Sequence, residues 1–323
     1  MRAFITGGTG FIGSNLIDYL LTKGIEIFAL VRNPHHLTWL EGKNINILEG
    51  NLFSIPSLPS DIQYVFHIAG LTKAFKLGDY YTVNQQGTAS LFQSLISNKI
   101  SPTRIVYLSS TAAAGPVLDE GKVKEEDTPH PISPYGKSKL QGEKETLKYS
   151  DTYPVTILRA AAVFGPRDLD FLQYFKIIKT GILLSMRSYQ GLMNLCYVKD
   201  LTRALYLSTQ KELKSGEIIN IADPRPYSYD ELGEIAGRVL EKKLRKLSLP
   251  LSIVYLLALT NELSGIILKK PSIFNRYKYI EMKQKSWVVD TKKAEEKLSF
   301  RTQHPVEEAI QETLQWYRRQ GWL

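Results

Sequence analysis

A tyrosine and a lysine four positions apart are the residues of this chain best suited to chemistry. Tyr135 and Lys139 occur in the run Ser-Pro-Tyr-Gly-Lys-Ser-Lys. Helical spacing places both side chains on one face, one turn apart. Free tyrosine titrates at about 10, and a nearby ammonium favours its phenolate, so the phenol can exchange a proton near neutral pH. The pair therefore indicates general acid–base chemistry.

Context separates this pair from two others with the same spacing. Those two are Tyr19/Lys23 and Tyr279/Lys283. Only Tyr135 follows a Ser-Pro helix start and comes after a strand-like run that ends in hydroxyl side chains, 107–111. Open α/β sheets bind ligands at the carboxyl ends of their strands. Ser110, with Thr111 as a second candidate, is therefore placed to bond a substrate carbonyl, and strand-end capping is the alternative.

A glycine-rich turn near the start of the chain predicts a phosphate site. The run Thr-Gly-Gly-Thr-Gly-Phe-Ile-Gly-Ser follows an apolar segment and precedes a helical pattern. Gly7 permits a tight turn, Gly10 lets the backbone approach a pyrophosphate, and Gly13 lets the helix pack closely on the sheet. The helix N-terminus offers N–H groups and partial positive charge to phosphates. The predicted dinucleotide contacts are Gly7, Thr9, Gly10, Phe11, Ile12 and Gly13.

The end of the second predicted strand favours NADP over NAD. A site that prefers NAD places Asp or Glu there to bond the ribose 2′-hydroxyl. This chain has Val-Arg-Asn-Pro at 31–34, without a carboxylate. Arg32 can instead pair bidentately with a 2′-phosphate. The alternative is a solvent-facing arginine beside an NAD site.

Alternating strands and helices in the first half would position these residues. Strands are predicted at 2–6, 25–31, 45–49, 64–68, 104–109 and 154–158, and helices at 11–23, 79–98 and 134–149. This alternation predicts βαβ units, and hence a doubly wound parallel sheet of the Rossmann type that is buried on both faces.

The regular alternation of strands and helices ends at about residue 165, and this change predicts a second, smaller lobe. We expect a dinucleotide-binding domain over 1–165, rejoined by 195–222. A mostly helical substrate-binding lobe would comprise 166–194, which looks irregular, and 223–323. The most apolar stretch, 247–268, predicts a buried helix or pocket wall, with a surface that leans on a membrane as the alternative. Its uncharged part is too short to span a bilayer.

The composition of the 323 residues limits the possible partners. With 43% hydrophobic and 23% charged residues, it excludes disordered, collagen-like and disulfide-rich classes. The single cysteine, Cys196, predicts a reducing, cytoplasmic location. The N-terminal apolar run is too short for a signal peptide. The net charge of +9 is scattered without a nucleic-acid motif, and the five histidines form no metal-ligand pair, so we expect neither nucleic acid nor metal as a partner.

Together these motifs resemble the extended short-chain dehydrogenase/reductases over nearly the whole chain. The resemblance rests on the glycine turn at 6–13, His67-Ile68-Ala69-Gly70, Asn84-Gln85-Gln86-Gly87-Thr88, Leu108-Ser109-Ser110, Tyr135-Gly136-Lys137-Ser138-Lys139, the run 159–166 and Tyr197-Val198-Lys199-Asp200.

The resemblance implies a role for each candidate residue. Tyr135 is implied as the acid in carbonyl reduction and the base in alcohol oxidation. Lys139 would lower the phenol pKa and hold the nicotinamide ribose, and Ser110 would polarise the carbonyl. Further cofactor contacts are implied at Asn51, Leu52, Ile68, Ala69, Gly70, Asn84, Ser109, Ala162 and Val163. His67 would line the same channel unless it is a structural histidine, and Asn84 has a structural role as its alternative. Helices 79–98 and 134–149 would form a homodimer interface.

Two departures from the family pattern bear on the substrate. Members that act on sugar nucleotides usually place Asn where this chain has Ala162, and alanine cannot donate to a phosphate. This favours the branch with dihydroflavonol reductases, aldehyde/ketone reductases and 3-beta-hydroxysteroid dehydrogenases. Asn51 replaces the usual Asp near the adenine, where it keeps an acceptor oxygen.

The sequence therefore predicts an NADP-dependent oxidoreductase that interconverts a secondary alcohol and a ketone or aldehyde on a largely apolar small molecule. One alternative is a nucleotide-sugar epimerase or dehydratase with tightly bound NAD. Another is an NADP(H)-binding sensor without catalysis.

Overall fold

A computed structural model describes residues 1–186, 191–267, 272 and 274–323. The strands are β1 (Arg2–Thr6), β2 (Glu26–Val31), β3 (Asn46–Glu49), β4 (Tyr64–His67), β5 (Arg104–Ser110), β6 (Val155–Ala160), β7 (Ala162–Phe164), β8 (Ile182–Met186), β9 (Leu192–Tyr197), β10 (Glu217–Ile221), β11 (Pro226–Ser228), β12 (Arg245–Leu249) and β13 (Ser286–Trp287). The helices are α1 (Phe11–Thr22), α2 (Leu77–Tyr81), α3 (Gly87–Ser97), α4 (Thr111–Ala114), α5 (Pro134–Leu147), α6 (Asp170–Lys179), α7 (Val198–Gln210), α8 (Tyr229–Val239), α9 (Leu251–Ile267), α10 (Arg276–Met282), α11 (Lys292–Leu298) and α12 (Val306–Arg319).

The main sheet is seven-stranded and parallel, with the order β10-β6-β5-β4-β1-β2-β3. The strand order reverses beside β1, whose end residue Thr6 pairs with Leu30 on one side and His67 on the other. Ligands of doubly wound folds bind in the crevice at such a reversal. The predicted doubly wound parallel fold is confirmed, as are the six strands predicted in its first half.

Apolar side chains cover both faces of this sheet. One core cluster joins the strands to α1 and α7, with Leu16, Ile17 and Leu205 fully buried. The other lies against α3 and includes Phe92 and Leu95. Burial on both faces explains why the strands read as continuous apolar runs rather than alternating ones.

The expectation of an irregular segment at 166–194 is wrong for the residues that the structure describes. This segment contains α6, β8 and the beginning of β9, while 187–190 lie outside the described residues. Strand β8 pairs with β12, about sixty residues further along the chain, and β9 pairs with β7, β11 and β13. A third core cluster, with Phe175, Leu195 and Tyr317 fully buried, packs among these elements, α8 and α12.

The prediction of a buried helix within 247–268 is also wrong, although Leu268 lies outside the described residues. Helix α9 forms there, but its buried residues are Val254, Ala258 and Gly265 alone. Hydropathy predicts that a helix avoids water and does not reveal whether a neighbour covers it. Within the described ranges, no helix is both long and apolar enough to cross a membrane.

Candidate active site

The predicted cofactor residues converge on one edge of the main sheet, because nearly all follow the carboxyl end of a parallel strand. The glycine turn follows β1, Arg32 follows β2, Asn51 and Leu52 follow β3, Ile68 to Gly70 follow β4, Ser109 and Ser110 end β5, and Ala162 and Val163 follow β6. Residues that are up to about 150 positions apart in the chain thus line a single crevice.

The glycine turn has the shape that a pyrophosphate requires. Gly7 has φ +76°, and a Cβ there would lie 2.6 Å from the Ala69 nitrogen. A Cβ on Gly13 would lie 2.1 Å from the Gly7 carbonyl oxygen, so only glycine lets α1 start so close to the turn. Gly10, by contrast, has only that carbonyl oxygen near its Cβ position, at 3.3 Å. Its outer side is open, and the residues here fit a dinucleotide phosphate at the α1 N-terminus.

The second and third strand ends hold the residues predicted near the adenosine. Arg32 is exposed directly after β2. Asn51 accepts a hydrogen bond from the Phe53 N–H through its side-chain oxygen, at 2.8 Å, and so caps a turn. Leu52 packs against Gly87, where a Cβ would approach Leu52 to 2.6 Å. Arg32 is therefore a cation near the start of the crevice, while Asn51 and Leu52 shape the surface beside it.

Tyr135 and Ser110 meet in the structure. Ser133 begins α5 as predicted, accepting the Gly136 N–H at 3.1 Å, and this sets Tyr135 in the first turn. Burial raises the pKa of Tyr135 to about 12, and the nearby Ser110 hydroxyl partly opposes that shift. Thr111, the second candidate, is buried in the first turn of α4. The phenol is therefore protonated at neutral pH, and the choice of Ser110 over Thr111 stays a prediction.

Lys139 lies one turn further along α5 and is buried. Its Nζ donates to the Leu108 carbonyl oxygen at 2.6 Å and lies 4.2 Å from the centre of the Tyr107 ring. A Cβ on Gly70 would come within 3.6 Å of this nitrogen, so Gly70 and the ammonium adjoin. Burial lowers the pKa of Lys139 to about 7, while Glu143 opposes the shift. The lysine can therefore gain or lose a proton near neutral pH.

A buried ion pair beneath the lysine was missed at the sequence level. Glu143 receives two hydrogen bonds from Arg159, at 2.9 and 2.7 Å, and both side chains are 1% exposed. The Ser109 hydroxyl donates to the same carboxylate at 2.6 Å, which commits this predicted cofactor residue to the pair. The signal was available, because Glu143 is four residues after Lys139 on the same helix face. This pair ties α5 to the ends of β5 and β6.

Asn84 and His67 are held inside the protein by several hydrogen bonds. Asn84 lies in a π-helical segment, Thr82–Gln86, accepts from the Leu71 N–H at 2.7 Å and donates to the Ser138 hydroxyl at 2.8 Å. His67 Nδ1 and Nε2 lie 2.7 and 3.0 Å from the hydroxyls of Thr6 and Thr88. Both side chains are 1% exposed, which matches the structural alternative for each. They fix the loop after β4 and the end of β4 relative to α5.

Helix α10 provides charges on the far side of Tyr135. Lys278 and Glu281 form an ion pair at 3.3 Å. After burial and the Ser110 hydroxyl, the charge of Glu281 raises the Tyr135 pKa and that of Lys278 lowers it. The Tyr80 ring lies 6.3 Å from the Tyr135 ring and adds an aromatic wall. Sequence reasoning missed this contribution because α10 is more than 130 residues from Tyr135.

The two other tyrosine–lysine pairs do not join this site. Lys23 lies over the ring of Tyr19 at 5.1 Å, at the end of α1 away from the glycine turn. Tyr279 contacts Tyr255 of α9, with ring centres 5.3 Å apart. The choice of Tyr135 and Lys139 over these pairs stays a prediction.

Comparison with known proteins finds one matching family model and several relatives that are similar over nearly the whole chain. The model of the NAD dependent epimerase/dehydratase family matches residues 3–222. A ceramide reductase of Caulobacter vibrioides is 26% identical over 99% of this chain and 95% of its own length. A putative dihydroflavonol 4-reductase of Synechocystis is 25% identical over 99% and 95%. A probable dTDP-glucose 4,6-dehydratase of Sinorhizobium fredii is 24% identical over 100% and 94%.

Solved structures share the fold over the whole chain. The UDP-glucuronic acid 4-epimerase of Bacillus cereus, in complex with UDP-glucuronic acid and NAD, has a TM-score of 0.80 at 21% identity, covering 99% of this chain and 100% of its own. The UDP-glucose 4-epimerase of Thermotoga maritima has a TM-score of 0.79 at 21% identity, covering 99% of both chains.

Proposed function

The chain belongs to the NAD dependent epimerase/dehydratase family, and we propose that it is an NADP-dependent reductase of ketones or aldehydes on largely apolar substrates. It is an enzyme of the short-chain dehydrogenase/reductase type. The observation that carries the proposal is that the start of α5 packs against the end of β5, where a Cβ on Gly136 would lie 2.3 Å from the Ala112 carbonyl oxygen, so that Tyr135 lies near Ser110.

The chemistry follows from the two hydroxyls. The Ser110 hydroxyl donates to the substrate carbonyl oxygen and polarises it. When bound, the reduced nicotinamide supplies hydride to the carbonyl carbon. Tyr135 transfers its proton to the same oxygen, so that an alcohol forms and a phenolate remains. A phenol whose pKa is raised to about 12 is protonated before the reaction, which suits the reductive direction.

Lys139 and its neighbours prepare this step. The Lys139 ammonium would bond the nicotinamide ribose and offset the negative charge left on Tyr135. Its burial and the Leu108 carbonyl fix its position. Gly7, Gly10 and Gly13 would hold the pyrophosphate at the α1 N-terminus, and Arg32 would pair with the 2′-phosphate of NADP.

Two observations support an apolar substrate. Ala162 stands where sugar-nucleotide members usually have Asn, and its methyl group offers nothing to a phosphate. The Tyr80 ring adds apolar surface next to Tyr135. A full-length relative named for reduction of ceramide supports the same substrate class. Against this, other relatives and the solved neighbours are named for nucleotide sugars, so nucleotide-sugar epimerisation is the competitor.

A cofactor oxidation screen tests the proposal against that competitor. The purified protein is mixed with NADPH and long-chain aldehydes, long-chain ketones, aryl ketones or 3-ketosteroids, and absorbance at the nicotinamide band is followed. We expect turnover with at least one apolar carbonyl. UDP-glucose is tested in parallel for a 4-epimer. Epimer formation with retained NAD, and no carbonyl reduction, would replace the proposal with the competitor, and inertness in every assay would favour the sensor.

Arg32→Ala tests the cofactor preference. Loss of a bidentate phosphate contact should weaken NADPH binding about tenfold or more and leave NADH binding nearly unchanged. Dissociation constants from fluorescence titration measure both, with His36→Ala as an exposed control on the same loop. Equal wild-type affinity for the two cofactors would contradict the preference.

Three further predictions accompany this function. The chain divides into a cofactor-binding domain, 1–165 with 195–222, and a substrate-binding lobe, 166–194 with 223–323.

A homodimer would use helices within 79–98 and 134–149, and light scattering tests this oligomeric state. The single cysteine supports a cytoplasmic location.

A further inference from the structure

Helix α9 exposes apolar side chains on the side that faces away from the protein. At 3.6 residues per turn, its buried residues Val254, Ala258 and Gly265 lie on one face. An arc of about 120° away from that face contains the exposed polar residues Thr260 and Ser264. The same arc carries Ile253, Leu256, Leu257, Leu263 and Ile267, which we call the α9 stripe. These five side chains are between 43% and 80% exposed.

The stripe is not covered by its packing partner. Helix α10 reaches α9 through a different side, where Tyr255 contacts Tyr279 and Glu262 pairs with Arg276 at 2.9 Å. Monomeric proteins rarely leave a contiguous apolar patch of this kind open unless it binds something. The stripe is long enough, at four helical turns, to lie along a surface.

The chain segments on either side of α9 are basic, and their charge indicates the kind of surface that the stripe binds. Between residues 241 and 285, the described residues include eight Lys and Arg but only three Glu, a net charge of +5 in a chain whose total is +9. The basic residues are Lys242, Lys243, Arg245, Lys246, Arg276, Lys278, Lys283 and Lys285. Lys242, Lys243, Arg245, Lys283 and Lys285 are exposed and, within the described residues, form no ion pair.

We infer that the α9 stripe binds the surface of an anionic phospholipid bilayer. The apolar face would enter the acyl boundary, while Lys and Arg of the chain segments on either side of α9 would attract anionic headgroups, since α9 itself carries neither. Two signals together give stable binding where one alone is weak. A second copy of the chain would bury the stripe as well, but the concentration of like charge beside it would oppose close pairing.

The hairpin of α9 and α10 connects this surface with the active site. Its second helix carries Lys278 and Glu281 near Tyr135. A bilayer bound to α9 would therefore lie on the helix that packs against α10. The membrane inference does not depend on the proposed reaction, because binding can be measured without cofactor or substrate.

Vesicle flotation tests the inference. The full chain is mixed with vesicles of phosphatidylcholine alone or with 30% phosphatidylglycerol (roughly the content at which a few basic residues act together), at low and high salt. We expect flotation with the anionic vesicles, at least tenfold less with phosphatidylcholine, and a loss of binding at high salt. Equal binding to both vesicles, or none to either, would overturn the inference.

Matched variants separate the two signals. Leu256→Glu should lower anionic-vesicle binding at least tenfold, whereas Leu169→Glu, just before α6 and with similar exposure, should not. Lys283→Gln with Lys285→Gln, directly after the α10 helix that packs on α9, should lower it roughly tenfold, and Lys292→Gln with Lys297→Gln on α11 should have little effect. Leu256→Glu binding like wild type would refute the stripe. Self-association that Leu256→Glu abolishes, without vesicle binding, would assign the stripe to a second copy.

Discussion

Helix α5 buries charged side chains, whereas helix α9 exposes apolar side chains to solvent. Each helix therefore places residue types where they are unusual. Helix α5 buries Lys139 and Glu143, and hydrogen bonds satisfy both. Helix α9 exposes leucines and isoleucines, 43–80% of each side chain in the α9 stripe. Buried charge is tolerated where neighbours compensate it, and exposed apolar surface persists where a ligand covers it. The comparison separates a reaction site from a docking surface.

Glu143→Ala should produce the largest change in stability, because it leaves Arg159 buried and unpaired. Breaking a fully buried pair costs about 3–5 kcal/mol. Denaturant unfolding measures the loss, and Glu307→Ala, which removes an exposed pair with Arg238, should cost about 1 kcal/mol or less. If both variants lost the same amount, the buried pair would not hold α5 in place.

Acid should destabilise the protein through His67. Burial, together with the charge of Lys139, lowers the pKa of His67 to about 3, from an ordinary value of 6.5. Between these values the unfolded chain binds a proton that the folded protein does not, so stability is complete above pH 6.5 and falls as the pH decreases. The loss between pH 7 and pH 5 is on the order of 2 kcal/mol.

Chemical unfolding of His67→Gln across this pH range isolates that effect. The variant should be less stable at pH 7 because two hydroxyl contacts are altered, but its decline toward pH 5 should be shallower than that of the wild type. His36→Gln, which changes an exposed histidine, should keep the wild-type slope. Identical slopes in all three proteins would remove His67 from the acid response.

Leu256→Glu should produce the smallest change in stability. Its side chain is 53% exposed, and exposed substitutions usually change the free energy of unfolding by no more than about 0.5 kcal/mol. Thermal unfolding without lipid measures this. A loss of several kcal/mol would mean that Leu256 packs against the protein, and the contrast between α5 and α9 would disappear.

Local patterns predicted the parts of the molecule that a short segment determines. The glycine turn, the Ser133 start of α5 and the apolar strands needed no distant partner, so the main sheet and its carboxyl edge could be placed. Parallel topology then brought Ser110 and Tyr135 together. Family resemblance, rather than spacing, favoured Ser110 over Thr111.

The errors arose where the partner is distant in the chain or lies outside it. Strand β8 was missed because its pairing strand, β12, is far along the chain. Glu143 was missed because its partner Arg159 is on another element, although a charge in the buried run of β6 was a warning. The prediction that α9 is buried was wrong because the sequence of an apolar helix is the same whether protein or a lipid phase covers the helix.

Transfer of deuterium from 4-deuterated NADPH to an apolar carbonyl tests the central claim most directly. Mass spectrometry of the alcohol should find deuterium on the carbinol carbon with the wild type and with Tyr149→Phe, which removes a hydroxyl outside the site. Tyr135→Phe should retain NADPH binding and lose about 10²–10⁴-fold in rate. Undiminished transfer by Tyr135→Phe would contradict the assignment of Tyr135 as the proton donor.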